Sequence, residues 1–198
     1  EKKFSMASGL IILQKKEFKM SEYYELKIAG LTRNLERFPI SDKIDIAAFI
    51  IFGDVELTVE GSKALLEKVP EFDFIITPEA KSIPIAYEMA RQSGKPYIVA
   101  RKGVKVYMRN SLEVSVTSIT TKKEQHLYLG ETEANLIKGK RVLIVDDVIS
   151  TGESLVAVRE LVKKAGAVEA AACAFLAEGD AADRDDIVFL EKLPLLER

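Results

Sequence analysis

What this chain lacks narrows its chemistry before any motif is read. Among 198 residues there is no tryptophan, one histidine and one cysteine. A single cysteine, Cys173, excludes an intrachain disulfide and suits a reducing compartment. It lies in the apolar run "AAACAFLA" and reads as a small core residue of a buried strand. His126 has no second His or Cys nearby to build a transition-metal site, so it reads as a solvated loop or strand residue. No apolar run reaches the roughly 18 residues needed to cross a bilayer. "GLIIL" near the start is too short, and too soon followed by charge, for a signal peptide. Charge of one sign is missing as well: 29 basic and 31 acidic residues leave a net charge of -2, with no nucleic-acid footprint in the bulk composition. Lys102, Lys105 and the pair Lys122-Lys123 can bind phosphate, but they are too few to imply a polymer. A cytoplasmic protein that binds neither membrane nor nucleic acid is the expectation.

What is present is ordinary globular composition, 47% hydrophobic and 30% charged, in a pattern of alternating strands and helices. The first twenty residues suggest a helix with Leu10, Ile11, Phe18 and Met20 as its apolar points. "KIDIAAFIIFGDVEL" is strongly apolar and turns at Gly53-Asp54, and "VEGSKALLEKV" has helical spacing. "FDFIITPEA" is a strand, and "SIPIAYEMARQSG" a helix with Pro84 in its first turn and Gly94 as its stop. "KPYIVARKG" is a strand; "SLEVSVTSIT" and "QHLYLG" form a hairpin arm tipped by Thr120 to Glu124. "RVLIVDD" is a continuous apolar strand, "ESLVAVRELVKKAG" an amphipathic helix capped by Gly166, and "VEAAACAFLAEG" another buried strand. Such alternation predicts an α/β fold: a mostly parallel sheet with helices on both faces. Ligands of such sheets lie at the carboxyl ends of the strands. Three of those ends are polar here: Thr77 to Ser82, Arg101 to Gly103, and Asp146 to Ser154.

The decisive stretch is "VLIVDDVISTGES", Val142 to Ser154. Where a helix leaves a strand, free N–H groups and the positive dipole end suit a monophosphate, with the Ser150, Thr151 and Ser154 hydroxyls as further donors. A Walker loop is excluded because its lysine and glycine spacing are absent, and a dinucleotide fingerprint because three spaced glycines are absent. Asp146 and Asp147 are poor phosphate ligands, but they accept strongly from a vicinal diol and can hold Mg²⁺ directly or through its waters. The ligand therefore carries a phosphate beside a ribose diol. The ordinary alternative, an Asp pair serving only as caps, leaves two carboxylates at the end of a buried strand without work.

This stretch resembles the phosphoribosyl-pyrophosphate (PRPP) signature of type I phosphoribosyltransferases: an apolar strand, two acids, then a small-residue loop ending in Thr-Gly. "TPEAKSIPIAYEMARQSGKPYIVARKG" resembles the segment of adenine and xanthine enzymes that carries "TEARG" or "IEASG" and then "VRK" or "ARK". The likeness runs from about Phe72 onward. It implies a single domain over 1–198, with a core at 59–178 and a small hood lobe from 1–58 and 179–198. It also implies Asp146 and Asp147 on the ribose hydroxyls, with Mg²⁺ held nearby through water, and Ser150, Thr151, Gly152, Glu153 and Ser154 around the 5′-phosphate. Pyrophosphate falls to Ala80, Lys81 and Ser82, in a loop that often holds a cis peptide in this family, and to Arg101, Lys102 and Lys105. Asp146, Asp147 and Lys102 are the expected catalytic residues, and the segment from Gly103 to Leu127 the closing loop.

Ser150 stands where the hypoxanthine-guanine branch usually has an aspartate, which points to adenine as the acceptor, with xanthine or guanine behind it. Glu113 and Glu124 are the candidates for an acid at the base, and solvated loop charges are the alternative. Phe49, Phe52 and Val148 are candidate base contacts, with Phe189 and Leu190 further aromatic and apolar candidates; core packing is the default reading of Phe49, Phe52, Phe189 and Leu190. Asp183, Asp185 and Asp186 read as solvated charges. The resemblance further implies a homodimer. A regulator that binds PRPP without catalysis stays open, although the residues before Lys43 are too few for the DNA-binding domain such proteins carry.

Overall fold

The structure, a computed structural model, describes residues 23–117 and 124–198. The helix expected within the first twenty residues, and most of the expected tip of the arm, lie outside them. In chain order come β1 (Tyr23–Ile28), β2 (Leu31–Pro39), β3 (Ile44–Ala47), α1 (Val55–Leu66), β4 (Phe74–Pro78), α2 (Ile83–Ser93), β5 (Tyr97–Ala100), β6 (Leu112–Thr117) and β7 (Glu124–Leu129). There follow α3 (Glu131–Ile137), β8 (Arg141–Ile149), α4 (Glu153–Lys164), β9 (Val168–Glu178), a 3-10 turn (Gly179–Asp183), β10 (Val188–Leu193) and β11 (Leu196–Glu197).

Five strands form the parallel sheet in the order β10-β9-β8-β4-β5. Its centre is buried on both faces, which is why β8 reads as an unbroken apolar run. Val142 and Ile144 pack into the core beneath α3 and α4, while Leu143 and Val145 pack into the core beneath α1 and α2. Ile76 and Ile75 divide in the same way on β4, as do Ala172 and Cys173 on β9. Cys173 is fully buried, and burial pushes its thiol far above the ordinary value.

From β4 the chain goes outward to β5, then returns to lay β8 on the other side of β4. The carboxyl ends of β4 and β8 therefore border the point where the winding reverses, the place where such sheets open a crevice. The arm, β6 paired with β7, is stitched to β5: Arg101 and Tyr128 exchange both backbone hydrogen bonds at 2.8 Å.

A second sheet has the order β1-β2-β3-β11 and is antiparallel throughout. Its last pairing, Leu196 with Asp45, brings the C-terminal residues onto the N-terminal strands. Arg33 of β2 ties this sheet to α1. It donates to Asp54, the N-cap of α1, at 2.6 Å through Nε and 3.0 Å through Nη2, and to Glu56 at 2.8 Å. Gly61 lets α1 sit close on β9, because a β-carbon there would meet the Phe175 ring at 2.5 Å.

Candidate active site

The β8 carboxyl end carries the two adjacent acids. Asp147 is 3% exposed, and the Lys81 ammonium lies 2.9 Å from its Oδ2. That contact is a charge contact without hydrogen-bond geometry: Oδ2 is buried and accepts no hydrogen bond among the described residues. Asp146 Oδ1 accepts the backbone N–H of Asp147 at 2.9 Å. Burial and then the Asp147 charge push the Asp146 carboxyl well above the usual carboxylate range, against the opposing pull of that N–H and of the Ser82 hydroxyl. Two acids held against this penalty imply a ligand that needs them.

Both are hard oxygen donors of the kind Mg²⁺ takes. No group of three or more His, Cys, Asp and Glu side chains among the described residues could hold a metal ion alone. The fit is therefore to an ion that completes its shell with water and ligand oxygens.

Beyond the acids, the turn into α4 rests on Gly152, whose φ of 80° belongs to the left-handed region. The first helical bond runs from the Val156 N–H to the Gly152 carbonyl at 2.9 Å, so the N–H groups of Ser154 and Leu155 have no acceptor within the helix. Asp146, Val148, Ile149 and residues 150–155 line a cavity of about 50 Å³ there. Ser150 and Thr151 are exposed at its mouth.

On the neighbouring strand, β4 ends in Pro78, and the peptide between Glu79 and Ala80 is cis. Thr77 Oγ1 donates to Ser82 Oγ at 2.7 Å, and Ser82 Oγ donates to the Pro78 carbonyl at 3.2 Å, fixing the loop from beneath. Lys81 reaches from this loop across to β8. Glu79, which the sequence did not single out, receives the Lys102 N–H at 3.0 Å and lies 3.3 Å from the Arg101 guanidinium. Arg101 Nε is buried and has no hydrogen-bond partner among the described residues. Lys81, Arg101, Asp146 and Asp147 are thus linked across three strand ends, with Lys102 beside them. Lys105 is half-buried farther along the loop, where its N–H donates to the Met108 sulfur at 3.4 Å.

Several sequence expectations land elsewhere. Phe49 is 6% exposed within the core beneath the second sheet, so its ring is engaged in packing and not open to a base. Phe52 is 54% exposed and follows Ile51, which lines a groove of about 400 Å³ between α1 and α2. Val148 lines the cavity beside Asp146. Glu113 is a strand residue engaged by the arm itself: His126 Nδ1 lies 2.8 Å away and the Tyr128 hydroxyl donates at 3.0 Å. The Glu124 side chain lies outside the described residues. Asp186 is no idle solvated charge, since the guanidinium groups of Arg184 and Arg159 hold its carboxyl far below the usual range.

Sequence and shape comparisons agree with this geometry. Residues 61–194 match the family model described as the phosphoribosyl transferase domain. A hypoxanthine/guanine phosphoribosyltransferase of Methanococcus voltae is 36% identical over 129 residues, covering 65% of this chain and 63% of that protein. The chain thus spans a little less than two thirds of that relative. An adenine phosphoribosyltransferase of Thermotoga neapolitana is 33% identical over 138 residues, covering 65% of this chain and 78% of that protein. The crystal structure of adenine phosphoribosyltransferase from Thermoanaerobacter pseudethanolicus superposes with a TM-score of 0.64 at 22% identity, over 80% of this chain and 95% of that one, a likeness of fold.

Proposed function

The chain belongs to the phosphoribosyl transferase family, and from that premise we propose that it moves the 5-phosphoribosyl group of PRPP onto a purine base, adenine first, releasing pyrophosphate. The observation that carries the proposal is the meeting of Asp147 with Lys81, next to Asp146 in the wall of the cavity at the head of α4. In this reading the two acids accept hydrogen bonds from the ribose hydroxyls. Residues 150–154 bind the 5′-phosphate through backbone N–H groups and hydroxyls. The loop of Ala80, Lys81 and Ser82, with Arg101, Lys102 and Lys105, takes the pyrophosphate, which gains charge as it separates from the sugar. The unpaired Arg101 Nε is a buried donor that this ligand can satisfy.

Mg²⁺ bound with the substrate supplies charge stabilisation to the pyrophosphate. The chain's own residues hold the sugar and its leaving group in line, and the segment from Gly103 to Leu127 excludes water from the reacting carbon. Val148 and Phe52 remain the candidate contacts to the base. Hood and core are taken as 1–58, 59–178 and 179–198: β11 pairs with β3 of the N-terminal sheet, whereas β10, also within 179–198, extends the core sheet beside β9. A homodimer in the cytoplasm completes the reading, supported by the exposed Phe52, Val55 and Tyr87 around the α1–α2 groove. Among the described residues no helix is long and apolar enough to cross a membrane.

Relatives named for adenine and for hypoxanthine/guanine match at similar identity, so Ser150 alone does not separate the acceptors. Incubation with PRPP, Mg²⁺ and each nucleobase in turn identifies the acceptor by the nucleotide formed. Product with guanine or xanthine alone moves the assignment to that branch. No product with any base, alongside tight PRPP binding, replaces transfer by a PRPP-binding regulatory role. Calorimetry of Asp146→Asn/Asp147→Asn should show PRPP binding lost, and unchanged affinity sinks the site assignment.

A further inference from the structure

Arg184 lies just past the 3-10 turn after β9, and no local sequence pattern marks it. Its Nε and Nη2 donate to the two oxygens of Asp186, each at 2.8 Å. Asp186 is anchored in turn, because its Oδ2 accepts from Arg159 Nη1 of α4 at 2.7 Å. Arg159 is itself held by Glu169 of β9 through Nε at 3.0 Å and Nη2 at 2.8 Å. The Arg184 guanidinium is therefore clipped in place by a carboxylate that two arginines share. The clip occupies two of its three nitrogens. Nη1 has no hydrogen-bond partner among the described residues, and a β-carbon on Gly152 would stand 2.6 Å from it. A guanidinium nitrogen that Asp186 does not engage thus rests against the turn that opens α4.

Taking residues 150–154 as the 5′-phosphate loop, as above, we propose that Arg184 is a phosphate-binding residue of this site, giving Nη1–H to the phosphate monoester and selecting 5′-phosphorylated sugars. The chemistry suits the placement. Guanidinium is permanently charged, its planar fork matches phosphate oxygens, and its hydrogen bonds to them are charge-assisted. The Asp186 clip orients the group before the ligand arrives, so little side-chain freedom is lost on binding. Gly152 is required on two counts: its positive φ, and the absence of a β-carbon where Nη1 lies. The donor approaches from the β9–β10 connection, and Arg159 of α4 anchors its clip.

The test compares ligands that do and do not carry the 5′-phosphate. Calorimetry with Mg²⁺ is run on the wild type, Arg184→Gln, Arg184→Lys and Asp186→Asn, using PRPP and, separately, inorganic pyrophosphate. Arg184→Gln should weaken PRPP roughly ten- to a hundredfold, the span of one charge-assisted hydrogen bond, and leave pyrophosphate affinity unchanged. Arg184→Lys should lose part of that affinity, since one ammonium cannot hold Asp186 and reach the loop together. Asp186→Asn should also lose part of it, with the arginine present but unclipped. In turnover, KM for PRPP should rise while kcat holds, as for an interaction made equally in ground and transition states. Wild-type PRPP affinity in Arg184→Gln overturns the proposal. So does a parallel loss of PRPP and pyrophosphate in all three variants, which marks a structural role. A wild type that binds pyrophosphate but not PRPP overturns the reading of the loop itself, a result distinct from either.

Discussion

Gly61→Ala tests whether α1 is seated on the sheet as closely as the geometry says. Gly61 is buried in the middle of α1, facing β9. An added β-carbon would stand 2.5 Å from Cε2 and Cζ of Phe175 and 3.2 Å from Cε1. In an exposed helix this exchange stabilises by about 1 kcal/mol, because alanine restricts the unfolded chain and favours the helix. Here that gain is set against overpacking, which costs about 1–3 kcal/mol in a filled core. Phe175 is fully buried among Leu57, Leu65, Leu143 and Val145, so its ring has nowhere to swing. At 2.5 Å the cost lies in the upper part of that span, about 2–3 kcal/mol, so the clash wins and a net loss of about 1–2 kcal/mol is expected, or roughly 2–8 °C in Tm for a domain of this size. Urea and thermal unfolding of the single variants and of Gly61→Ala/Phe175→Leu complete a double-mutant cycle. The double variant should be more stable than the two single losses added together predict, since the smaller side chain makes room for the methyl. An alanine variant as stable as wild type, or an additive cycle, refutes the close seating of α1.

Three further outcomes are expected. Arg33 hydrogen-bonds Asp54 and holds its carboxyl below the usual range, so this contribution is complete above the ordinary value of 3.8 and is lost as pH falls through the depressed one. Asp54→Asn keeps a capping oxygen and removes the charge. It should therefore cost about 1 kcal/mol near neutrality and converge with wild type in acid, and a pH-independent Tm difference contradicts the assignment. Cys173, buried and with its thiol pushed up, should resist an aromatic disulfide reagent until the protein unfolds; modification in the native state at the rate of a free thiol places it elsewhere. Gly152→Ala meets both an unfavourable φ and the Arg184 guanidinium. It should weaken PRPP binding at least tenfold, about 1.4 kcal/mol, while pyrophosphate affinity stays; equal PRPP affinity shows that the loop tolerates a β-carbon.

The parallel sheet was legible because β4, β8 and β9 are apolar runs bounded by polar ends, and α2 and α4 carry clear start and stop residues. The second sheet was not assigned, although "YYELKIAGLTRNLERFP" holds its signal. Tyr24, Leu26 and Ile28 alternate with polar residues, and Ala29 and Gly30 at φ 50° and 77° make the two-residue turn that joins β1 to β2. α3, seven residues long, has too few turns for periodicity to show. At the site, the acids, the small-residue turn and the basic strand ends could be read directly. Phe49 could not be resolved, since a ring for packing and a ring for stacking are the same residue until burial is known. Arg184 and Glu79 were invisible for another reason: Arg184 bonds Asp186 nearby but meets the α4 turn at Gly152, 32 residues away, and Glu79 meets Arg101, 22 residues away, and no spacing rule reaches that far.

The cations of the site share a design that no single strand reveals. Lys81 is held at Asp147, Arg101 at Glu79 and Arg184 at Asp186. Each acid comes from a strand end or connection, and in the two arginine pairs a donor is left over: Arg101 Nε and Arg184 Nη1 have no partner among the described residues. A carboxylate that neutralised its arginine completely would compete with an anionic ligand. One that engages only part of the fork fixes the plane of the guanidinium and leaves one nitrogen unengaged. Fixing that plane in advance spares the ligand the cost of ordering a long side chain. The reversal of winding between β4 and β8 brings Lys81 of the β4 loop against Asp147 of β8. The same end of β8 also holds Asp146, so a cation and two carboxylates meet where the winding reverses.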